Sequence, residues 1–137
     1  MSDHSNAGTP DLVRIQHVLS KHPAILLAIL FGSLAKGEAH FDSDLDLAVD
    51  MGCPLQQHEK MQLIAELVEA LGRPVDLIDL FSVGEPLLGQ IITKGTRVLG
   101  EDSRYAFMLS RHLFNQADFM PYRNRILRER RQAWLGL

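Results

Sequence analysis

The sequence holds one cysteine, Cys53. No intrachain disulfide can form, and a reducing, cytoplasmic setting is expected. Long apolar runs are also missing. The longest, Ala24 to Phe31, is eight residues, against the roughly 20 a membrane-spanning helix needs. The N-terminus lacks the basic start and apolar centre of a signal peptide. Aromatic residues make up only 7% of the chain, and no basic, aromatic-rich stretch offers a stacking platform for single-stranded nucleic acid. Positive charge is not in excess: 14 Lys/Arg face 17 Asp/Glu, a formal balance of −3. That balance argues against a general affinity for nucleic acid. The six histidines (His4, His17, His22, His40, His58 and His112) show no metal-ligand spacing. Cys53 has no histidine paired with it in sequence, so a nucleophilic thiol is not expected.

What remains is a chain of 137 residues, 46% of them apolar, enough for one compact domain with a core of its own. Its charge is unevenly spread. Residues 1–103 carry 7 Lys/Arg against 15 Asp/Glu, whereas residues 104–137 carry 7 Arg against 2 acids. An acidic front and a basic tail suggest bound cations in the first and an anionic partner surface for the second, or a tail whose arginines simply solvate a helix.

Residues 1–9 are small and polar and are expected to be disordered. Thr9-Pro10 has the pattern of a helix N-cap and first helical position, and Leu12, Ile15, Val18 and Leu19 repeat at helical spacing to about Lys21. Pro23 ends that helix. AILLAILF (24–31) reads as a strand buried on both faces. DLDLAVD (44–50) alternates at its start, placing Asp44 and Asp46 on one face and Leu45 and Leu47 on the other. Leu55 to Leu71 is an amphipathic helix ended by Gly72, and PVDLIDL (74–80) is a third strand. Ser82 and Glu85 form a capping-box pattern that predicts a short helix to about Thr93. TRVLG (96–100) reads as a short fourth strand. Residues 101–137 are predicted mostly helical, broken at Pro121. This order predicts an α/β (α+β) domain over residues 10–100, a small mixed sheet with helices largely on one face. The C-terminal helices would pack on it or on a partner.

Chemistry concentrates in FGSLAKGEAHFDSDLDLAV (31–49). Gly32 follows a buried strand, where the missing Cβ lets a phosphate approach the backbone. Ser33 adds a hydroxyl beside the turn's N–H groups, a cradle for anionic oxygens. Asp44 and Asp46, on one face of one strand, repel each other with no Lys or Arg adjacent in sequence. A hard divalent cation with oxygen ligands relieves that repulsion, and Mg²⁺ shared with substrate phosphates fits best.

These residues resemble a known family. Gly32-Ser33, ten intervening residues, then Asp44-x-Asp46 is the signature of the DNA polymerase β-like nucleotidyltransferases. The length and sequence style are similar to the minimal nucleotidyltransferase branch, whose members include antitoxins of HEPN–MNT toxin–antitoxin modules. The resemblance covers roughly residues 10–100. It implies that Gly32 and Ser33 hold the β- and γ-phosphates of a nucleoside triphosphate, and that Asp44 and Asp46 bind two Mg²⁺ ions. It also implies a third carboxylate on a neighbouring strand, for which Asp76 and Asp79 are the candidates. Asp76 has the better local pattern, and alternation puts Asp79 on the opposite face. Asp76 would bind the catalytic metal and assist deprotonation of the acceptor. One departure affects the phosphate loop. Many minimal members read G-S-R-A-R-G where this chain reads G-S-L-A-K-G, so Leu34 lacks a cation and Lys36 keeps one only as a point charge.

The resemblance further implies an antitoxin that transfers AMP from ATP to a tyrosine hydroxyl of a cognate HEPN ribonuclease toxin. Arg111, Arg123, Arg125, Arg128, Arg130 and Arg131 of the tail would then dock an acidic toxin surface. Two other readings stand beside it: transfer to a small molecule or RNA, and a purely binding antitoxin with a vestigial site.

Overall fold

In the computed structural model, the residues described are 8–32 and 44–116. Helix α1 (Gly8–Ser20) leads into strand β1 (Leu27–Phe31). Strand β2 (Leu45–Asp50), helix α2 (Gln57–Leu71) and strand β3 (Val75–Asp79) follow. Then come helix α3 (Leu87–Lys94), strand β4 (Thr96–Gly100) and helical residues 102–116, here α4. The sheet order is β3-β2-β1-β4. Strand β1 pairs antiparallel with both β2 and β4, and β2 pairs parallel with β3. The sheet is therefore mixed, as expected. The parallel pair is joined by a crossover through α2, the connection such a pair requires. Among the described residues no helix is long and apolar enough to cross a membrane.

The placing of the helices differs from the sequence expectation. They cover both faces of the sheet. On one face Ala28, Leu30, Leu45, Leu47 and Val49 pack with Ile15, Val18 and Leu19 of α1 and Leu63 and Leu67 of α2. On the other, Leu27, Ile29 and Ala48 pack with Leu88, Ile91 and Ile92 of α3 and Met108 of α4. The apolar β1 run requires this, because its alternate residues enter opposite cores and each needs a cover. Leu27, Ala28, Ile29 and Leu30 are all buried.

Helix starts differ as well. The expected capping box at Ser82 and Glu85 does not form, and α3 begins at Leu87. The Ser82 hydroxyl donates to Asp79 Oδ2 (2.8 Å), and Glu85 accepts from His112 Nδ1 (2.9 Å), Asn115 Nδ2 (3.3 Å) and the Gly89 amide (3.2 Å). A reciprocal cap occurs at α2 instead, where Glu59 Oε1 accepts from the Gln56 amide at 3.0 Å. That helix starts at Gln57 rather than Leu55, and its C-cap, Gly72, is left-handed as expected (φ 68°). Helix α1 begins at Gly8 and already includes Thr9, two residues earlier than the cap pattern indicated.

Helix α4 lies across the second face and is tied to it by polar anchors. Arg104 pairs with Asp50, the fully buried last residue of β2. The Arg104 guanidinium also stacks 4.5 Å from the Phe107 ring centroid. Tyr105 donates its hydroxyl to the Ile92 carbonyl (2.7 Å). Arg111 donates to the carbonyls of Phe81, Leu80 and Val83 at 2.8, 2.9 and 3.0 Å. Arg111 therefore closes the turn after β3 and is not a free docking charge, contrary to the sequence reading. The remaining tail arginines, like residues 1–7 and Pro121, lie outside the described residues.

Candidate active site

The site forms where β1 ends and β2 and β3 begin. Strand alternation turns Asp46, Ala48 and Asp50 away from the α1/α2 core, since Leu45, Leu47 and Val49 enter it. The parallel register sets Asp46 opposite Asp76, and the antiparallel register sets Asp46 opposite Phe31. Three strands thus converge on one carboxylate. Asp44 sits just ahead of β2 and is exposed, Asp76 is exposed, and Asp46 is half-buried.

Gly32 closes the constellation. Its φ of +78° lies in the left-handed region, and a methyl group there would run into the Asp46 carboxylate. Glycine meets two needs at once, the turn out of β1 and the close approach of backbone to an acid. Ser33 and Lys36 lie outside the described residues.

The electrostatics follow from this crowding. Burial raises the Asp46 pKa above the usual carboxylate range, and the negative charges of Asp76 and then Asp44 push it further the same way. Among the described residues no cation figures among the groups acting on it. A half-buried carboxylate crowded by two others is relieved by a hard divalent cation with oxygen ligands. Among the described residues no group of three His, Cys, Asp or Glu side chains is placed to hold a metal ion by itself. Mg²⁺ bound through one or two carboxylates takes its other ligands from water and substrate phosphates, so the acids of this surface fit it in that mode. Asp44, Asp46 and Asp76 are the residues that would hold it.

Asp79 belongs elsewhere. It pairs in register with Val49, on the opposite face from Asp76. Its Oδ2 accepts from the Leu55 amide (2.9 Å) and the Ser82 hydroxyl, and its Oδ1 from the Phe81 amide (3.1 Å). The two acids of β3 are thereby separated: one faces the site, the other fastens two turns. Replacing Asp76 by Asn is expected to abolish transfer with little change in melting temperature. Asp79→Ala is expected to lower stability by about 2 kcal/mol, through the loss of an acceptor for three donors. It should leave most of the transfer rate intact at a temperature where the variant is folded. Paired melting curves and initial rates check both, and a fully active Asp76→Asn protein would remove Asp76 from the site.

A mixed four-stranded sheet, a glycine turn against an acid, and acids on neighbouring strands define a nucleotidyltransferase domain. The polymerase β nucleotidyltransferase family matches residues 14–104, and the chain belongs to it. The protein adenylyltransferase MntA of Shewanella oneidensis is 37% identical over 78 residues, covering 57% of this chain and 56% of that protein. The match thus spans only about half of that relative's length. A solved toxin–antitoxin complex with AMP-PNP contains a chain that superposes with a TM-score of 0.73 at 28% identity, covering 86% of this chain and 96% of the other. A chain from the tri-AMPylated Shewanella oneidensis HEPN toxin in complex with its MNT antitoxin gives 0.62 at 27% identity, covering 86% and 97%.

Proposed function

We propose that this protein transfers AMP from ATP, with Mg²⁺, to a tyrosine hydroxyl of a cognate HEPN toxin and so acts as its antitoxin. The observation that carries the reading is the apposition of Asp46 and Asp76 on adjacent strands, with Gly32 pressed against Asp46. The MntA relative and the two toxin–antitoxin complexes support the choice of acceptor.

In this reading Gly32 and Ser33 seat the triphosphate, with Lys36 as a further phosphate contact. The acceptor oxygen attacks the α-phosphorus in line. A new phosphodiester bond forms, the bond to the bridging oxygen breaks, and pyrophosphate leaves. Asp76 takes up the hydroxyl proton or assists its departure. Mg²⁺, when bound at Asp44, Asp46 and Asp76, supplies charge neutralisation for the triphosphate and lowers the pKa of the attacking hydroxyl. Asp44 and Asp76 are exposed at one end of the sheet, open to an acceptor carried on a partner protein.

The test is catalytic turnover. The toxin is incubated with a substoichiometric amount of this protein, ATP and Mg²⁺, and then weighed by mass spectrometry. One or more added AMP masses, absent with the Asp44→Ala/Asp46→Ala protein, are expected. An unmodified toxin that the double variant neutralises equally well would leave binding alone as the mode of action.

A further inference from the structure

Four residues adjoin Asp46 along and across the strands, and only one of them is large and apolar. On its own strand Asp44 lies two positions before it and Ala48 two positions after. Across the parallel ladder it meets Asp76, and across the antiparallel ladder it meets Phe31, the last residue of β1. Phe31 is half-buried and packs against the core formed by Leu27, Ile29, Ala48 and the buried residues of α3. That packing fixes its ring on the same face of the sheet as Asp46. Directly opposed residues of an antiparallel pair hold their Cβ atoms about 4.5–5.5 Å apart. The ring therefore stands beside the Asp46 side chain.

The acid leans toward β1. Its Cβ and Cγ lie 3.3 and 3.1 Å from the place a Cβ on Gly32 would occupy. The lean has a physical cause: Asp76 and Asp44 stand on its other sides, and like charges drive the Asp46 carboxylate away from them. Sharing a cation requires the opposite, because the carboxylates must stay close despite their repulsion. Ala48 is too short to hold the side chain back, and Gly32 offers only backbone beyond the end of β1. A bulky ring on β1 blocks the swing across that strand. It keeps the carboxylate near its neighbours before any cation arrives, so that the ligands are held in place in advance.

We propose that Phe31 is a positioning residue for the divalent-cation site, its ring the wall that keeps the Asp46 carboxylate from swinging over β1 and out of reach of Asp76. The inference rests on the nucleotidyl-transfer reading above and adds a residue that is neither an acid nor a phosphate contact. Phe31 also has a plainer role, since a buried aromatic ring stabilises the core it packs on. Metal affinity and melting temperature tell the two roles apart.

Mn²⁺, a paramagnetic stand-in for Mg²⁺, is titrated into the full chain and its binding read by water-proton relaxation, alone and with AMP-PNP. The proteins are wild type, Phe31→Ala, Phe31→Leu, Leu27→Val and Asp46→Asn, with melting temperatures taken on the same samples. Wild type should hold Mn²⁺ and Asp46→Asn should lose it. Phe31→Ala should weaken Mn²⁺ binding about tenfold, the lower end of the range for a residue that orients a metal ligand. Phe31→Leu keeps most of the apolar bulk and should bind nearly as wild type. Leu27 lies in the same core at the opposite end of β1, where it pairs with Asp50. Leu27→Val should therefore lower the melting temperature and leave Mn²⁺ affinity unchanged. Should the alanine chain not fold, Phe31→Val takes its place under the same expectation. Equal affinity in wild type and Phe31→Ala overturns the proposal, as does an equal loss in Leu27→Val. If Asp46→Asn loses Mn²⁺ and Phe31→Ala does not, the transfer reading stands and only the Phe31 role falls. If wild type holds no Mn²⁺ in either condition, both fall.

Discussion

Converting Asp46 to Asn should lower AMP transfer by roughly 10³-fold, the scale on which single electrostatic groups act at a reacting centre, without lowering stability. The two halves of that expectation have one cause. Burial and the charges of Asp76 and Asp44 raise the Asp46 pKa, so the folded protein disfavours the ionised form that would hold Mg²⁺. For a carboxylate raised in this way, folding is penalised as pH climbs through the raised value. The penalty vanishes below the usual carboxylate range, where folded and unfolded chains are both protonated. At neutral pH the Asn variant should thus melt at the same temperature as wild type or higher, and any advantage should fade on acidification. Initial rates and melting curves on the same samples read both. An Asn variant that is both active and less stable would show that Asp46 is a structural residue.

The second large effect is expected far from the chemistry. Arg104→Ala should cost about 3 kcal/mol, the range for removing one partner of a buried ion pair. Asp50 is completely buried and holds Arg104 Nε and Nη2 through its carboxylate, which also accepts from the Gly52 amide (2.9 Å). Losing Arg104 strands that charge under α4. A loss of this size is a large part of the 5–15 kcal/mol typical of a domain. Urea unfolding should show the midpoint falling at constant slope. The neutral pair Asp50→Asn/Arg104→Met should recover much of the loss, because it leaves no unpaired charge. A change below about 1 kcal/mol for Arg104→Ala would mark the pair as dispensable.

Why the first site could be read and the second could not is a matter of sequence distance. Gly32, Asp44 and Asp46 sit in one short stretch, and strand alternation alone put the two acids on one face. The odd spacing of Asp76 and Asp79 on β3 sends them to opposite sides of the sheet. The local pattern, an acid just after the first apolar strand residue, favoured Asp76, which the register sets opposite Asp46. Asp50 and Arg104 are 54 positions apart, and no local pattern announces such a partner. Arg111 was misjudged for the same reason, because three backbone carbonyls some 30 residues upstream leave no trace in sequence. The both-sided burial of β1 was legible in its unbroken apolar run, but which helix covered the second face was not. That cover depends on α3 and α4 meeting Leu27 and Ile29 in space. The misplaced helix start shows a different limit. Ser82 and Glu85 match a cap, yet Asp79 and His112 compete for them.

The sheet order also bears on how the protein is made. The second neighbour of β1 is β4, whose residues follow it by about 70 positions. While a ribosome is still building the stretch between them, one side of β1 lies open, with its backbone donors and acceptors free to pair with any passing strand. Closing so long a loop is slow compared with forming the local β1–β2 pair. Nascent chains of this protein therefore pass through an interval of exposed apolar edge, during which chaperone capture or self-association competes with completion of the fold.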